Sequence, residues 1–140
     1  MPIVTFHLIE DRYAPECLEE LLDRASSVYA QVLASPIDRV RAFIVAYRPE
    51  YATVSGVTVS RGAEPAPYFE FLVLRGRPVS ERHALLAAFT DLLSDLLGAR
   101  RDLIRGRVVQ LDPDDWAIAG VPATAARESE IQARATAETV

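Results

Sequence analysis

The sequence predicts an α/β (α+β) fold, a two-layer sandwich in which a duplicated β-α-β unit lays both helices on one face of a single sheet. Three observations predict it. Residues 3–47 read as strand, helix, strand, and residues 68–111 read the same way. The segment His7-Leu-Ile-Glu-Asp-Arg12 also lines up with Leu72-Val-Leu-Arg-Gly-Arg77 at an offset of about 65 residues, above the solenoid range and suited to two copies of one supersecondary unit.

Residues 3–9 are rich in β-branched and aromatic types and read as a buried strand, ended by Glu10-Asp11-Arg12. A helix follows from about Pro15, with proline in a tolerated first-turn position. Leu18, Leu21, Leu22, Ala25, Val28, Tyr29 and Val32 fall at three- and four-residue spacing and form its apolar face. Ser35-Pro36 stops it, and Val40 to Tyr47 reads as the second strand. A helical crossover between them requires the two strands to be parallel.

Prolines at 49, 65 and 67 and glycines at 56 and 62 make residues 48–67 a long connection, with one short strand expected from Thr53 to Ser60. The pattern then restarts. Tyr68 to Leu74 is a strand, and Arg75-Gly76-Arg77-Pro78 is a turn. Val79 opens a helix with Ser80 as the expected N-cap. Leu85, Leu86, Phe89, Leu92, Leu93, Leu96 and Leu97 make its stripe, and Gly98 stands where a helix C-terminus favours glycine. Arg107 to Leu111 is the returning strand. Residues 2–120 thus form one domain of two repeats, about 2–47 and 68–111. Residues 121–140 are a C-terminal tail, either helix, arm over a neighbouring subunit or disordered end. Their few large apolar side chains predict disorder for the final part.

Composition limits the function classes. Half of the 140 residues are apolar and a quarter are charged, an ordinary globular balance. A net charge of −5 opposes a nucleic-acid surface. A single cysteine, Cys17, excludes an intrachain disulfide and suits a reducing cytoplasm. No apolar run approaches the ~20 residues of a membrane span, and no signal peptide is visible. His7 and His83 have no companion at metal-ligand spacing, so metal catalysis is not expected. A cytoplasmic protein is expected.

Pro2 is the strongest chemical signal. Initiator methionine is normally removed before a small second residue, which leaves a prolyl secondary amine. An α-amino group titrates at about 7.7–8, and burial in an apolar site lowers that value. The strand that begins at Ile3 would hold Pro2 where it cannot fray. Retention of Met1 would instead make its nitrogen an amide, neither basic nor nucleophilic. The chain would then be a binding or assembly protein on the same fold.

Other residues have two readings. Arg75 and Arg77 alternate at a strand end, on one face of a regular strand, either as a carboxylate-binding fork or as two solvated charges. By position alone Asp38 is a turn aspartate that pairs with Arg39 or caps local N–H groups. Trp116 and Ile118 wall an apolar pocket or pack a core, and Tyr29 is core first and a site hydroxyl second.

The run Met1-Pro-Ile-Val-Thr-Phe-His-Leu-Ile-Glu-Asp-Arg12, followed by an amphipathic helix, Pro36 and a second strand, resembles the tautomerase superfamily typified by 4-oxalocrotonate tautomerase. Ser35-Pro36-Ile37-Asp38-Arg39, Arg75-Gly76-Arg77 and Asp114-Asp115-Trp116-Ala117-Ile118 resemble the malonate semialdehyde decarboxylase group within it. The resemblance covers about residues 2–120 and implies a cofactor-free enzyme with Pro2 and Asp38 catalytic. It implies that Arg75, Arg77, Trp116 and Ile118 bind a small carboxylate substrate. Arg12 and Arg41 resemble carboxylate-binding arginines of the shorter tautomerases.

The implied reaction is decarboxylation of a 3-oxo acid, in which Pro2 polarises the carbonyl as an ammonium or condenses with it as an iminium. The alternative is keto–enol tautomerisation of a 2-oxo acid such as phenylpyruvate with unprotonated Pro2 as the proton shuttle. Hydration or dehalogenation of a 3-haloacrylate ranks below both, because the segment from Arg107 to Arg127 has aspartates but no glutamate. One sheet face lacks a covering helix, which predicts subunit association, with a homotrimer of six pseudo-equivalent units as the expected assembly.

Overall fold

The computed structural model describes residues 2–139. The excision of Met1, on which a free Pro2 amine depends, lies outside them. β-Branched and aromatic side chains at alternate positions make β1 (Ile3–Ile9), and Val4, Phe6 and Leu8 on its inner face are buried. Helix α1 (Pro15–Leu33) buries Leu21, Ala25, Tyr29 and Leu33, and the chain returns in β2 (Arg41–Tyr47), parallel to β1. The second repeat retraces this path through β5 (Tyr68–Leu74), α2 (Val79–Leu97) and β6 (Arg105–Leu111), the last parallel to β5. β1 and β5 show the same alternation of buried and half-buried residues.

The sheet order is β2-β1-β5-β6, and the central pair is antiparallel, with Ile3 opposite Leu72 and His7 opposite Tyr68. The two repeats therefore meet head to tail, and both helices pack on one face. Phe6, Phe69, Phe71, Phe89 and Tyr29 form the centre of that core, with ring centroids 5.3 to 6.4 Å apart and several edge-to-face. Such pairs add about 0.5–1.5 kcal/mol each beyond area burial. Gly106 of β6 is required by this packing, because a Cβ there would lie 2.1 Å from the Phe69 ring.

The connection differs from expectation. In place of one strand from Thr53 to Ser60, a two-residue hairpin forms from β3 (Thr53–Val54) and β4 (Val57–Thr58), turned by Ser55 and Gly56 at positive φ. Ser80 is not the N-cap of α2; Pro78 is, without a side-chain cap, because the helix begins at Val79. The returning strands also shift slightly, starting at Arg41 and Arg105.

The largest difference is in the tail. A hairpin of β7 (Ala117–Ile118) and β8 (Val121–Pro122) leads into α3 (Ala123–Ala126) and α4 (Glu128–Glu138). The final part is helical, not disordered, and charge rather than apolar burial docks it: α4 buries no residue fully, yet its Glu130 pairs with Arg39. The open sheet face is not uniformly apolar either. Phe43 and Val45 are exposed on it, interspersed with Arg41, Arg107 and Glu70. Among the described residues no helix is long and apolar enough to cross a membrane.

The repeats differ at the C-terminal ends of their helices. Gly98 ends α2 in the left-handed region at φ 65°, whereas the corresponding residue after α1 is Ala34, at φ 49°. Alanine there carries a steric cost that glycine does not. Ala34→Gly is expected to stabilise the protein by about 0.5–1 kcal/mol. Denaturant unfolding at fixed protein concentration would read this as a higher midpoint at an unchanged slope.

Candidate active site

Pro2 is fully buried at the head of β1, and its carbonyl accepts a hydrogen bond from the Arg41 N–H at 2.9 Å. Antiparallel pairing sets it beside Val73 and Leu74 at the far end of β5. A narrow cavity of ≈ 30 Å³ forms there, with Leu33 and Ser35 from the end of α1, Ile118 from β7, and Arg39, Arg77, Arg127, Glu130 and Arg134 around it. An apolar floor of Leu33, Val73, Leu74 and Ile118 thus carries a rim of four guanidinium groups.

Each cation is there for a local reason. Arg77 follows the turn after β5, where Gly76 adopts φ 104°. Its Nη1 donates to the Leu33 carbonyl at 2.8 Å and lies 3.4 Å from Glu81 Oε2. The Leu33 carbonyl is one of those left over at the C-terminus of α1, where the helix dipole attracts a cation. Arg39 ends a single 3₁₀ turn, Ile37–Arg39, and grips Glu130 with two nitrogens, both at 3.0 Å. Arg127, Glu130 and Arg134 share one face of the C-terminal segment at three- and four-residue spacing. Arg134 has no ion pair within 4 Å among the described residues. Burial, and then repulsion from Arg77, hold it below the usual guanidinium range.

The sequence-nominated residues divide. Pro2, Arg77 and Ile118 line the narrow cavity. Asp38, Trp116 and Arg41 line an adjoining groove of ≈ 390 Å³, which shares Arg39, Ile118 and Arg127 with it. Asp38 is exposed, and its backbone carbonyl accepts from Arg41 Nη1 at 2.8 Å. Trp116 is half-buried, and its indole N–H has no partner among the described residues.

Arg75 and Arg77 do not share a face of β5, because that strand ends at Leu74 and Gly76 turns the chain between them. Arg75 is exposed and lies outside the cavity lining. Arg12 is exposed in the loop after β1 and does not reach Pro2. Tyr29 belongs to the core. Its hydroxyl donates to the Leu72 carbonyl, lies 3.4 Å from that of Ile3, and is pushed by burial far above the usual phenol range.

Arg39, Arg127, Glu130 and Arg134 were not nominated. The 127, 130, 134 spacing was a helical-face signal, hidden by the low apolar content of the tail. The duplicated fold also makes a counterpart cavity at the other end of the sheet, with Pro67 where the first repeat has Pro2. It is lined by His7, Tyr13, Tyr47, Tyr51 and Tyr68. Pro67 is an internal amide, and His7 Nδ1 is tied to the Tyr47 hydroxyl at 2.6 Å. Among the described residues, the clustered cations stand at the Pro2 end and not at the Pro67 end.

No family model matches the chain. A curated relative, the probable tautomerase RSp0893 of Ralstonia nicotianae, is 31% identical over 62 residues, 44% of this chain and 89% of that protein. The chain belongs to the tautomerase superfamily. Solved structures share its fold. Native fused 4-OT aligns with TM-score 0.82 at 22% identity over 88% of this chain and 97% of that one. Pt0534 inactivated by 2-oxo-3-pentynoate aligns with TM-score 0.81 at 23% identity over 89% and 98%. A fused 4-OT symmetric trimer, Q0, aligns with TM-score 0.78 at 24% identity over 89% of this chain and 98% of that one. The tautomerase fold thus accounts for the two β-α-β repeats of this chain.

The Arg39 fork holds the Glu130 carboxyl below its ordinary value of 4.5, with Arg127 and Arg134 adding to the effect. A lowered folded-state value means that this contribution to docking α4 is fully present above about pH 4.5 and lost as pH falls through the lowered value. Amide exchange of residues 128–138, corrected for its intrinsic pH dependence, is expected to rise below about pH 4 while the exchange of β1 and β5 stays slow.

Proposed function

We propose that this tautomerase-superfamily enzyme acts on a small oxo acid, with Pro2 as an uncharged amine. The observation that carries the proposal is the burial of Pro2 in a cavity rimmed by Arg39, Arg77, Arg127 and Arg134, whose four charges outnumber the carboxylates of Glu81, Glu130 and the nearby Asp38. Burial and a cationic surplus both disfavour a prolinium ion, so the amine is free at neutral pH. The same surplus draws a substrate carboxylate to the Arg77 side of the cavity, where a charge-assisted bond orients it. No cofactor enters the reaction.

A neutral amine suits keto–enol tautomerisation of a 2-oxo acid. The nitrogen takes the enol O–H proton and delivers a proton to the adjacent carbon, ending unprotonated as it began. The curated relative's name, a probable tautomerase, supports this reading. Decarboxylation of a 3-oxo acid is the second reading. It is supported by the groove that brings Asp38 and Trp116 alongside the cavity wall at Ile118, together with the likeness to the malonate semialdehyde decarboxylase group. There the neutral nitrogen condenses with the 3-carbonyl and water leaves. The carboxylate bond electrons move into the iminium as carbon dioxide departs. Protonation and hydrolysis of the enamine then release the aldehyde and the amine. The ammonium version of that reaction is disfavoured by the surrounding cations.

A homotrimer is proposed as the working assembly. The exposed Phe43 and Val45 on the open sheet face support it, and the fused 4-OT neighbours are described as trimers.

Ketonisation of phenylpyruvate and carbon dioxide release from a 3-oxo acid, measured on one preparation whose intact mass lacks Met1, test the proposal. Pro2→Ala is expected to lower kcat/KM about 100-fold on the true substrate. Arg77→Ala is expected to raise KM about tenfold or more, the loss of one charge-assisted hydrogen bond. Titration of the prolyl nitrogen is expected to give a value below the ordinary 7.7–8 of an α-amine. Equal turnover by wild type and Pro2→Ala would overturn the proposal.

A further inference from the structure

The cavity at Pro2 measures ≈ 30 Å³, room for about two waters and too little for an oxo acid. Next to it, against the same face of α4, lies a cleft of ≈ 520 Å³, lined by Arg39, Arg77, Glu81, Glu130 and Arg134. The two spaces share Arg39, Arg77, Glu130 and Arg134. What narrows the inner space toward the outer one is therefore this set of shared side chains, among them Glu130 of α4 laid across Arg39.

The contact that holds α4 there has a particular chemistry. Glu130 presents both carboxylate oxygens to both terminal nitrogens of Arg39. A substrate carboxylate would make the same two-pronged bond to the same fork. Little else fastens the helix: it buries no residue fully, and its remaining ion pair to Glu130 is the long 4.0 Å contact from Arg127 within the segment. Arg134, the half-buried cation with no ion pair among the described residues, stands ready to receive an anion from the same helix.

We propose that Glu130 is an internal carboxylate that keeps the substrate's place on Arg39 while the site is empty, and that an incoming carboxylate takes over Arg39 and releases α4, opening the Pro2 cavity. Arg39 is then a substrate-positioning residue in addition to Arg77. Glu130 is a specificity element that admits anions and excludes neutral carbonyl compounds, which cannot displace it. The inference rests on the oxo-acid reading above for its ligand class, but its test does not depend on turnover.

The test uses propanoate, with propanamide as its uncharged counterpart and chloride at matched ionic strength as the control. Two quantities are read: the dissociation constant for propanoate and the amide exchange of residues 128–138. In wild type, propanoate is expected to raise exchange of 128–138 several-fold, and propanamide to leave it unchanged. Glu130→Gln keeps the size of the side chain and removes the competing charge. It is expected to exchange fast without ligand, to respond no further, and to bind propanoate about two- to fivefold more tightly, the range of a partly exposed ion pair. Arg39→Ala also frees α4 but removes the anion's own partner, and is expected to bind propanoate more weakly by a similar factor.

Opposite signs in the two variants distinguish the exchange of partners from a merely structural ion pair, whose loss would move affinity the same way from either side. Affinity changes of the same sign, or exchange of 128–138 indifferent to propanoate, would overturn the proposal. Inactivity on every oxo acid with this response intact would leave the gate standing and remove the chemistry proposed above.

Discussion

The antiparallel pairing of β1 with β5 is the constraint from which the rest of the structure follows. With Ile3 opposite Leu72, the first residue of one repeat must lie where the strand of the other repeat ends. Pro2 thereby meets Val73, Leu74 and the turn that carries Arg77. The Tyr29 hydroxyl helps to hold this junction by bonding the backbone of β5 at Leu72 beside the Ile3 carbonyl of β1. A parallel central pair would have put Pro2 at the same edge as Pro67 and separated both from the loops that follow the strands.

Head-to-tail duplication makes two ends that are alike in backbone and different in chemistry. One end has Pro2 among arginines, the other Pro67 among tyrosines. The C-terminal segment reinforces the asymmetry. It wraps back over the Pro2 end alone and adds Arg127, Glu130 and Arg134 there.

Stability is graded in a way that suits this arrangement. The centre is a cluster of interlocked aromatic rings under two helices, with side chains that are wholly buried. Opening it would expose several large apolar surfaces at once. Helix α4 is joined to the body of the fold by the partly exposed Arg39–Glu130 pair, a kind of contact that is individually weak and salt-sensitive.

The repeat and its strands and helices were legible in the sequence, because each has a local signature. A run rich in β-branched and aromatic residues marks β1, leucines at helical spacing mark α1 and α2, and Gly98 marks a helix end. The failures share a physical cause. Ser80 is a good N-cap residue, but the chain direction set by Pro78 starts the helix one residue before it. Arg75 and Arg77 alternate in sequence, but Gly76 breaks the strand geometry that would have aligned them. Residues 121–139 lack the apolar side chains by which a helix is recognised. Ala123 anchors the start of that segment, and the long-range contact that holds α4 is the charge of Arg39, about 90 residues away. Local propensity and periodicity are properties of neighbouring residues, so the sequence by itself determined the elements. The cationic rim, the narrow cavity and the Glu130 bridge are contacts between distant segments. Only the tertiary structure decided them, because the antiparallel register and the path of the C-terminal segment set which distant charges meet.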